Sequence, residues 1–274
     1  MTTAEQTTRV RPIVKWAGGK SQLLGELSGR LPDTFGHYFE PFGGSAALLF
    51  HLRPPSATLA DANDELMNCY RVVRDDVESL IEDLSMHEND AEYFYATRAV
   101  DPATLDEVGR ASRFIYLNRT CFNGLYRVNR RGQFNTPFGS YKNPRICDAD
   151  NLRAASALLR DVKLLDGDYL DALALAEAGD LVYLDPPYVP VSQYSDFKRY
   201  TKVQFREQDQ AALAWVFRDL DARGCKVILS NSSAPLVHEL YEGFNIEVVQ
   251  ARRLINRNVT GRGCVDEVIV RNYG

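Results

Sequence analysis

The 274-residue sequence lacks several patterns that mark common protein classes. Its five cysteines include no C-x-x-C pair and its four histidines do not cluster with them, so we expect neither a disulfide framework nor a metal site. It has no run of eighteen apolar residues, and its first residues lack the apolar segment of a secretory signal. We therefore expect a cytoplasmic protein with no membrane partner.

Short β-branched and aromatic runs alternate with longer segments of helical periodicity, which predicts an α/β fold. The predicted strands are His37–Phe42, Ala57–Ala60, Val162–Leu165, Leu181–Leu184, Lys226–Ser230, Asn245–Ala251 and Glu267–Arg271. The segment between the second and third predicted strands is longer than a simple crossover connection between two strands requires. It contains helical patterns at Glu65–Leu84, Ala91–Arg98, Leu105–Leu117 and Asp150–Leu159. We expect 62–161 to be an inserted, mostly helical subdomain, and 1–61 with 162–274 to form the sheet domain.

Charge is distributed unevenly along the chain. The whole sequence has a net charge of −5, yet the range 108–147 contains eight Lys and Arg residues and no Asp or Glu. Such a basic stretch on an acidic body is expected where a polyanion touches part of the surface. A solvent-exposed loop with incidental arginines is the alternative interpretation.

Two adjacent glycines, Gly43 and Gly44, lie between a predicted strand and an apolar helix. Glycines there allow the backbone to pass close to a ligand. Asp61, 17 residues after Gly44, ends the next strand, where a carboxylate can accept ribose hydroxyls. The pattern G-x-G-x-x-G and the P-loop pattern are both missing, so a nucleoside-containing cofactor other than a nicotinamide dinucleotide or a nucleoside triphosphate is favoured.

The segment Asp185-Pro186-Pro187-Tyr188 follows an apolar strand and is the most specific motif. The prolines fix the backbone and remove two amide donors. The Asp185 carboxylate and the Pro186 carbonyl can then each accept a hydrogen from a planar exocyclic amine, while Tyr188 stacks on its ring. A rigid turn that merely ends the strand is the alternative interpretation.

Together with the N-terminal run K-W-A-G-G-K, these motifs occur in the order that characterises the Dam-type, α-class (D12 class) N6-adenine-specific DNA methyltransferases, which the chain resembles from about Val14 to its end. The resemblance implies a Rossmann-like S-adenosylmethionine-dependent methyltransferase domain with an inserted target-recognition subdomain. It also implies that the methyl acceptor is N6 of adenine in double-stranded DNA. The implied cofactor-binding residues are Trp16, Ala17, Gly18, Lys20, Phe42, Gly43, Gly44, Asp61, Asp168, Tyr169 and Asp185, and the implied catalytic residues are Asp185, Pro186, Pro187 and Tyr188.

The stretch 117–139 resembles the part of these enzymes that recognises GATC. Arg127 is the candidate for a bidentate contact with guanine, since a guanidinium fork matches the major-groove edge of that base. Thr136 departs from the Val found in several relatives. The full set of predicted DNA-binding residues is Arg119, Asn123, Leu125, Arg127, Arg130, Arg131 and Pro137.

Two other functions remain open from the sequence. One is methylation of a different amine, either cytosine N4 or adenine in RNA; the other is a catalytically silent DNA-binding module. We expect a monomer associated with the nucleoid, with a cognate restriction endonuclease as a candidate partner.

Overall fold

The computed structural model describes residues 10–16, 18, 20–129, 131–190, 205–252 and 264–274. Ala17 and Arg130, both predicted site residues, lie outside these ranges. The described strands are β1 (Tyr38–Glu40), β2 (Ala57–Asp61), β3 (Val162–Asp166), β4 (Leu181–Leu184), β5 (Lys226–Ser232), β6 (Asn245–Arg252) and β7 (Cys264–Arg271). The described α-helices are α1 (Leu24–Ser28), α2 (Ala47–Leu52), α3 (Asp64–Asp75), α4 (Val77–Ser85), α5 (Ala91–Ala99), α6 (Glu107–Thr120), α7 (Ala149–Leu159), α8 (Tyr169–Leu173), α9 (Glu207–Ala222) and α10 (Pro235–Leu240).

The strands form one mixed sheet in the order β3-β2-β1-β4-β5-β7-β6. Strands β1 to β5 are parallel, and β7 is antiparallel to both β5 and β6. The order reverses direction between β1 and β4, and ligands in open α/β sheets bind beyond the carboxyl ends of the strands at such a point. The predicted Rossmann-like α/β fold is confirmed.

Alternating side chains of the central strands point to two apolar layers. On β1, Tyr38 joins the core that contains α2, α3 and α7, whereas Phe39 joins the core that contains α9 and α10. On β4, Tyr183 faces the first core and Val182 the second. The sheet is therefore covered by helices on both faces, which keeps its carboxyl edge as the open side for a site.

The segment between β2 and β3 contains α3 to α7. The sequence predicted one helix over Glu65–Leu84, and this was wrong: Asp76, with φ −143° and ψ 54°, separates α3 from α4. A short acid such as Asp disfavours a helix interior and favours a helix end. A small separate core surrounds Phe94, Tyr116 and Leu117. The subdomain boundaries at 61 and 162 stay a prediction.

Among the helices that the structure describes, none combines the length and the apolar character needed to cross a membrane. Within the same described ranges, His, Cys, Asp and Glu side chains do not gather in a group of three that could bind a metal ion.

Candidate active site and nucleic-acid interface

Asp185 directly follows β4 at the carboxyl edge of the sheet. Its Oδ1 lies 2.6 Å from Lys20 Nζ and accepts a hydrogen bond of 2.9 Å from Ser230 Oγ. The side chains of Lys20 and Asp185 are only 8% and 19% exposed, so solvent screens this ion pair weakly. The Tyr183 hydroxyl lies 3.0 Å from Ser230 Oγ. The carboxylate is thus held from two sides, by an ammonium group and by a buried hydroxyl pair.

The chain after Asp185 is anchored by side chains from β5 and α9. Gln210 Nε2 donates to the carbonyl of Pro187 at 2.7 Å, and Asn231 Oδ1 accepts from the backbone N–H of Val189 at 3.1 Å. Pro186 and Pro187 have no N–H of their own to offer. The motif therefore has a defined backbone path before any substrate arrives.

Tyr188 lies beside this carboxylate and lines a cavity. Its hydroxyl donates to Glu267 Oε2 at 2.8 Å, and Lys20 Nζ lies 4.5 Å from the centre of its ring. Burial raises the pKa of Tyr188 well above its usual value, so the hydroxyl stays protonated. The cavity has a volume of ≈ 300 Å³ and is lined by Tyr188, Val189, Pro190, Phe205, Arg206, Glu207 and Gln210. Its aromatic and apolar walls suit a planar ring.

Glu40, the last residue of β1, is a second buried carboxyl group near Asp185, and it was not among the residues predicted for the site. Its Oε2 accepts hydrogen bonds from the Tyr38 hydroxyl at 2.9 Å and from the Leu49 N–H at 3.0 Å. Burial raises the pKa of Glu40 to about 8; the Tyr38 hydroxyl and the Leu49 N–H oppose that change, as does the charge of Lys20. Glu40 therefore ties the end of β1 to the first turn of α2.

Residues 41–46, between β1 and α2, are here called the cofactor loop, and their two glycines pack closely against other parts of the chain. A Cβ on Gly43 would stand 2.8 Å from Leu59 Cδ1 and 3.0 Å from the carbonyl oxygen of Ala60. Gly44 has φ +48°, and a Cβ there would stand 2.8 Å from Cδ1 of Trp16. Both positions require glycine, because the loop runs between β2 and the indole.

Asp61 lies at the end of β2 and holds this loop. Its Oδ2 accepts from the Gly44 N–H and its Oδ1 from the Asn63 N–H, each at 2.9 Å. Burial raises the pKa of Asp61, and the two hydrogen bonds counteract that effect. The carboxylate keeps further lone pairs, so it has the acceptor chemistry that ribose hydroxyls need.

Aromatic rings collect at the neighbouring strand ends. Tyr169 stacks on Phe42, with ring centres 5.1 Å apart and planes inclined by 28°, and Phe205 meets Phe42 edge-on at 6.0 Å. Asp168 caps α8 by accepting from the Leu170 N–H at 2.9 Å. These residues bring an apolar surface and a carboxylate to the end of β3, a combination that suits a purine ring with an amino group.

The N-terminal segment contacts both the sheet domain and the insert. Lys20 Nζ, which pairs with Asp185, also donates to the carbonyl of Gly18 at 2.7 Å. The Trp16 indole stacks on Tyr126 of the insert at 5.4 Å with an inclination of 19°. The structure thus brings Trp16, Gly18 and Lys20 close to the cofactor loop and to the Asp185-Pro186-Pro187-Tyr188 segment.

Residues 122–138, here called the recognition hairpin, carry four of the predicted base contacts. Asn123, Arg127 and Pro137 are exposed, and Leu125 is half-buried. Arg127 Nε donates to Asn135 Oδ1 at 2.8 Å, which orients the guanidinium. The two sides of the hairpin are joined by backbone hydrogen bonds from 135 to 127 and from 122 to 137, so these side chains share one surface.

The tip of the hairpin is a tight turn at Gly132. The N–H of Gly132 donates to the carbonyl of Asn129 at 2.9 Å, and Gly132 has φ +79°. Arg131 is exposed at this tip. Thr136 is buried, and its hydroxyl donates to the carbonyl of Leu125 at 2.6 Å. The hydroxyl of Thr136, absent from Val, therefore fixes the backbone beside a predicted base contact.

Several arginines of the basic stretch serve the fold. Arg113 is buried and donates to two backbone carbonyls at the end of α5. Arg119 Nη2 donates to the carbonyl of Ile13 at 2.7 Å, and Arg110 pairs with Glu65 at 2.6 Å. The assignment of Arg119 to DNA binding stays a prediction, and its described contact is with the N-terminal segment.

Known proteins are similar in sequence to this chain over most of its length. The family model for D12 class N6 adenine-specific DNA methyltransferases matches residues 16–255. The chain is 45% identical over 273 residues to the type II methyltransferase M1.LlaDCHI of Lactococcus lactis subsp. cremoris, covering 97% of this chain and 96% of that protein. It is 42% identical over 287 residues to the type II methyltransferase M.MjaIII of Methanocaldococcus jannaschii, covering 96% and 99%.

A DNA adenine methylase of Serratia marcescens is 35% identical over 266 residues, covering 94% of this chain and 97% of that protein. The match thus extends over nearly the full length of relatives from several organisms. The chain belongs to the D12 class of N6 adenine-specific DNA methyltransferases.

Proposed function

We propose that the protein transfers a methyl group from S-adenosylmethionine to N6 of an adenine that has been rotated out of double-stranded DNA, within the sequence GATC. The observation that carries this proposal is the proximity of a fixed carboxylate to an aromatic wall. Asp185 is held by Lys20 and Ser230, and the same Lys20 ammonium lies over the ring of Tyr188, which lines the cavity.

In this mechanism Asp185 and the Pro186 carbonyl accept the two hydrogens of the adenine amine, which directs the nitrogen lone pair out of the ring plane. Tyr188 stacks on the extruded base and offsets part of the few kcal/mol that unstacking costs. Direct displacement needs no covalent enzyme intermediate, because the donor would leave as a thioether and N6 would release one proton to water; positioning supplies much of the acceleration.

The donor set fits S-adenosylmethionine. Asp61 offers a carboxylate for the ribose hydroxyls, Asp168 an acceptor for the adenine amine, and Phe42 with Tyr169 an aromatic surface. We assign the remaining contacts to Trp16, Ala17, Gly18, Lys20, Gly43, Gly44 and Asp185, as the motifs imply. When bound, this cofactor supplies an electrophilic methyl group.

For recognition, we propose that Arg127 reads a guanine while Asn123, Leu125 and Pro137 contact neighbouring bases. The exposed Arg131, and with it Arg130, would contact phosphates, and Arg119 stays a candidate for the same role. We propose 62–161 as the target-recognition subdomain. Since similar proteins are called type II methyltransferases, a cognate restriction endonuclease is the proposed partner of this enzyme, which would act as a nucleoid-associated cytoplasmic monomer.

Transfer of radiolabelled methyl from S-adenosylmethionine to a duplex with one GATC site tests the proposal. Matched duplexes carry a replaced adenine or a replaced flanking base, and single-stranded RNA serves as a further acceptor. We expect label that depends on both the adenine and its flanking bases. Asp185→Ala should abolish transfer while leaving duplex affinity largely intact. Label on duplexes without GATC would refute the assigned specificity, and retained turnover in Asp185→Ala would refute the role of that carboxylate.

A further inference from the structure

One side chain, Asn118 in α6, joins the N-terminal segment to the recognition hairpin. Its Oδ1 accepts from the Lys15 N–H at 2.7 Å, and its Nδ2 donates to the Lys15 carbonyl at 2.7 Å. The same Nδ2 donates to the carbonyl of Gly124 at 3.2 Å. The side chain of Asn118 is itself fully buried, so its amide is shielded from competing water.

The chemistry of this bridge requires an amide of this length. An amide side chain offers an acceptor and two donors, and these match one N–H and two carbonyl groups. Aspartate at the same position would have no donor when ionised and would face two carbonyl oxygens. Alanine would leave the N–H of Lys15 and the carbonyls of Lys15 and Gly124 short of a partner, which would weaken the contact between the two segments.

Close packing also connects the N-terminal segment to the recognition hairpin on one side and to the cofactor loop on the other. Gly124 has φ +64°, and a Cβ there would stand 2.3 Å from Cδ of Lys15, so the hairpin and the segment are in direct contact. The next residue, Trp16, stacks on Tyr126 of the hairpin and packs against Gly44 of the cofactor loop. A displacement of the hairpin would therefore be transmitted to the cofactor loop through two residues.

We propose that Asn118 is a positioning residue that couples the recognition hairpin to the cofactor loop, so that the state of the hairpin on DNA governs the rate of methyl transfer. This inference rests on the proposed function, since it takes 122–138 to be the part that reads DNA. Asn118 touches neither the cofactor nor a base in this scheme; it acts through Lys15 and Trp16.

The chain provides a matched control in Asn151 of α7. Asn151 makes the same pair of hydrogen bonds with Arg11, accepting from its N–H and donating to its carbonyl, both at 2.9 Å. It is also buried. Asn151 therefore holds the same N-terminal segment four residues earlier, without a described hydrogen bond to the hairpin.

The test measures kcat and KM on the preferred duplex and on duplexes with one changed base, for the wild type, Asn118→Ala and Asn151→Ala, beside thermal unfolding. We expect Asn118→Ala to lower the ratio of cognate to changed-base kcat/KM by about tenfold, a typical coupling between sites. Asn151→Ala should lower Tm and keep the ratio. An unchanged ratio in Asn118→Ala, or an equal loss in both variants, would overturn the proposal. Asn118→Ser, which keeps a hydroxyl, replaces the alanine variant if that variant does not fold.

A second readout is independent of methyl transfer. The sequence has two tryptophans, and Trp215 is 76% exposed on α9, so Trp215→Phe leaves Trp16 as the single reporter. We expect the preferred duplex to change Trp16 fluorescence, and Asn118→Ala to abolish the change at saturating DNA. A preserved change would overturn the coupling. Absence of methyl transfer to any duplex by the wild type would instead refute the proposed function, which separates the two failures.

Discussion

Replacing Glu40 by glutamine should make the protein more stable at neutral pH. Glu40 is 3% exposed, and burial raises its pKa from the ordinary 4.5 to about 8. Between these two values the folded protein keeps a proton that the unfolded chain releases, so the free energy of unfolding falls as the pH rises through this window. At pH 7, about 2.5 pH units above the unfolded pKa, the loss amounts to about 3 kcal/mol.

Urea unfolding between pH 5 and pH 9 measures this effect. In Glu40→Gln the amide oxygen can still accept from the Tyr38 hydroxyl and the Leu49 N–H, so the contacts are kept while the titration is removed. The variant's advantage should be small at pH 5 and grow to about 3 kcal/mol at pH 7. As a control, Tyr38→Phe removes a donor that lowers the pKa of Glu40, so the decline in that variant should extend to higher pH than in the wild type. A Glu40→Gln protein whose stability follows the wild-type pH dependence would refute this reasoning.

Three further predictions concern DNA. Glu267→Leu should remove the carboxylate acceptor of the Tyr188 hydroxyl and raise KM for the duplex about fivefold, the equivalent of one hydrogen bond, whereas Glu267→Gln should behave like the wild type. Steady-state kinetics and 2-aminopurine fluorescence check this, and equal behaviour of the two variants would contradict it. Arg127→Lys should cost about 1 to 3 kcal/mol of discrimination at one base pair, measured by competition between duplexes, and unchanged discrimination would remove Arg127 from base reading. Arg131→Gln should reduce the slope of log affinity against log salt concentration by about 0.9. In the wild type Arg110 already pairs with Glu65, so Arg110→Gln should leave the slope unchanged. An equal effect of the two substitutions would show that such pairing does not decide which arginines contact phosphate.

The strands were predictable because their signal is local. The predicted strand Leu181–Leu184 has the observed bounds, and Ala57–Ala60 is extended by one residue. The predicted strand Glu267–Arg271 begins at Cys264 in the structure, because pairing with β6 continues past the apolar run. The ends of a strand depend on hydrogen bonds to its neighbouring strand, and the local sequence of one strand does not show where that pairing stops.

The site was predictable where acids end parallel strands. Asp61 is the last residue of β2 and Asp185 follows β4, and the carboxyl ends of parallel strands share one edge of the sheet. Glu267 was missed because its partner Tyr188 is 79 residues away in sequence. Strand β7 is antiparallel to β5 and begins at the carboxyl edge of the sheet, so Glu267 lies at that edge. No local sequence pattern predicts that β7 is antiparallel.

The count of basic residues gives only an upper bound on the charge available to DNA. Arg113 and Arg119 each donate to backbone carbonyls of distant segments, and Arg110 neutralises an acid of α3. These three guanidiniums bind the insert internally and to the N-terminal segment, which Asn118 and Asn151 also hold. The insert is therefore fastened to the rest of the chain by hydrogen bonds to residues that precede β1. We propose that this attachment, together with the contacts of Trp16 with Tyr126 and Gly44, couples the insert to the cofactor loop. This coupling is the physical basis for expecting specificity to be expressed in the rate of methyl transfer as well as in binding.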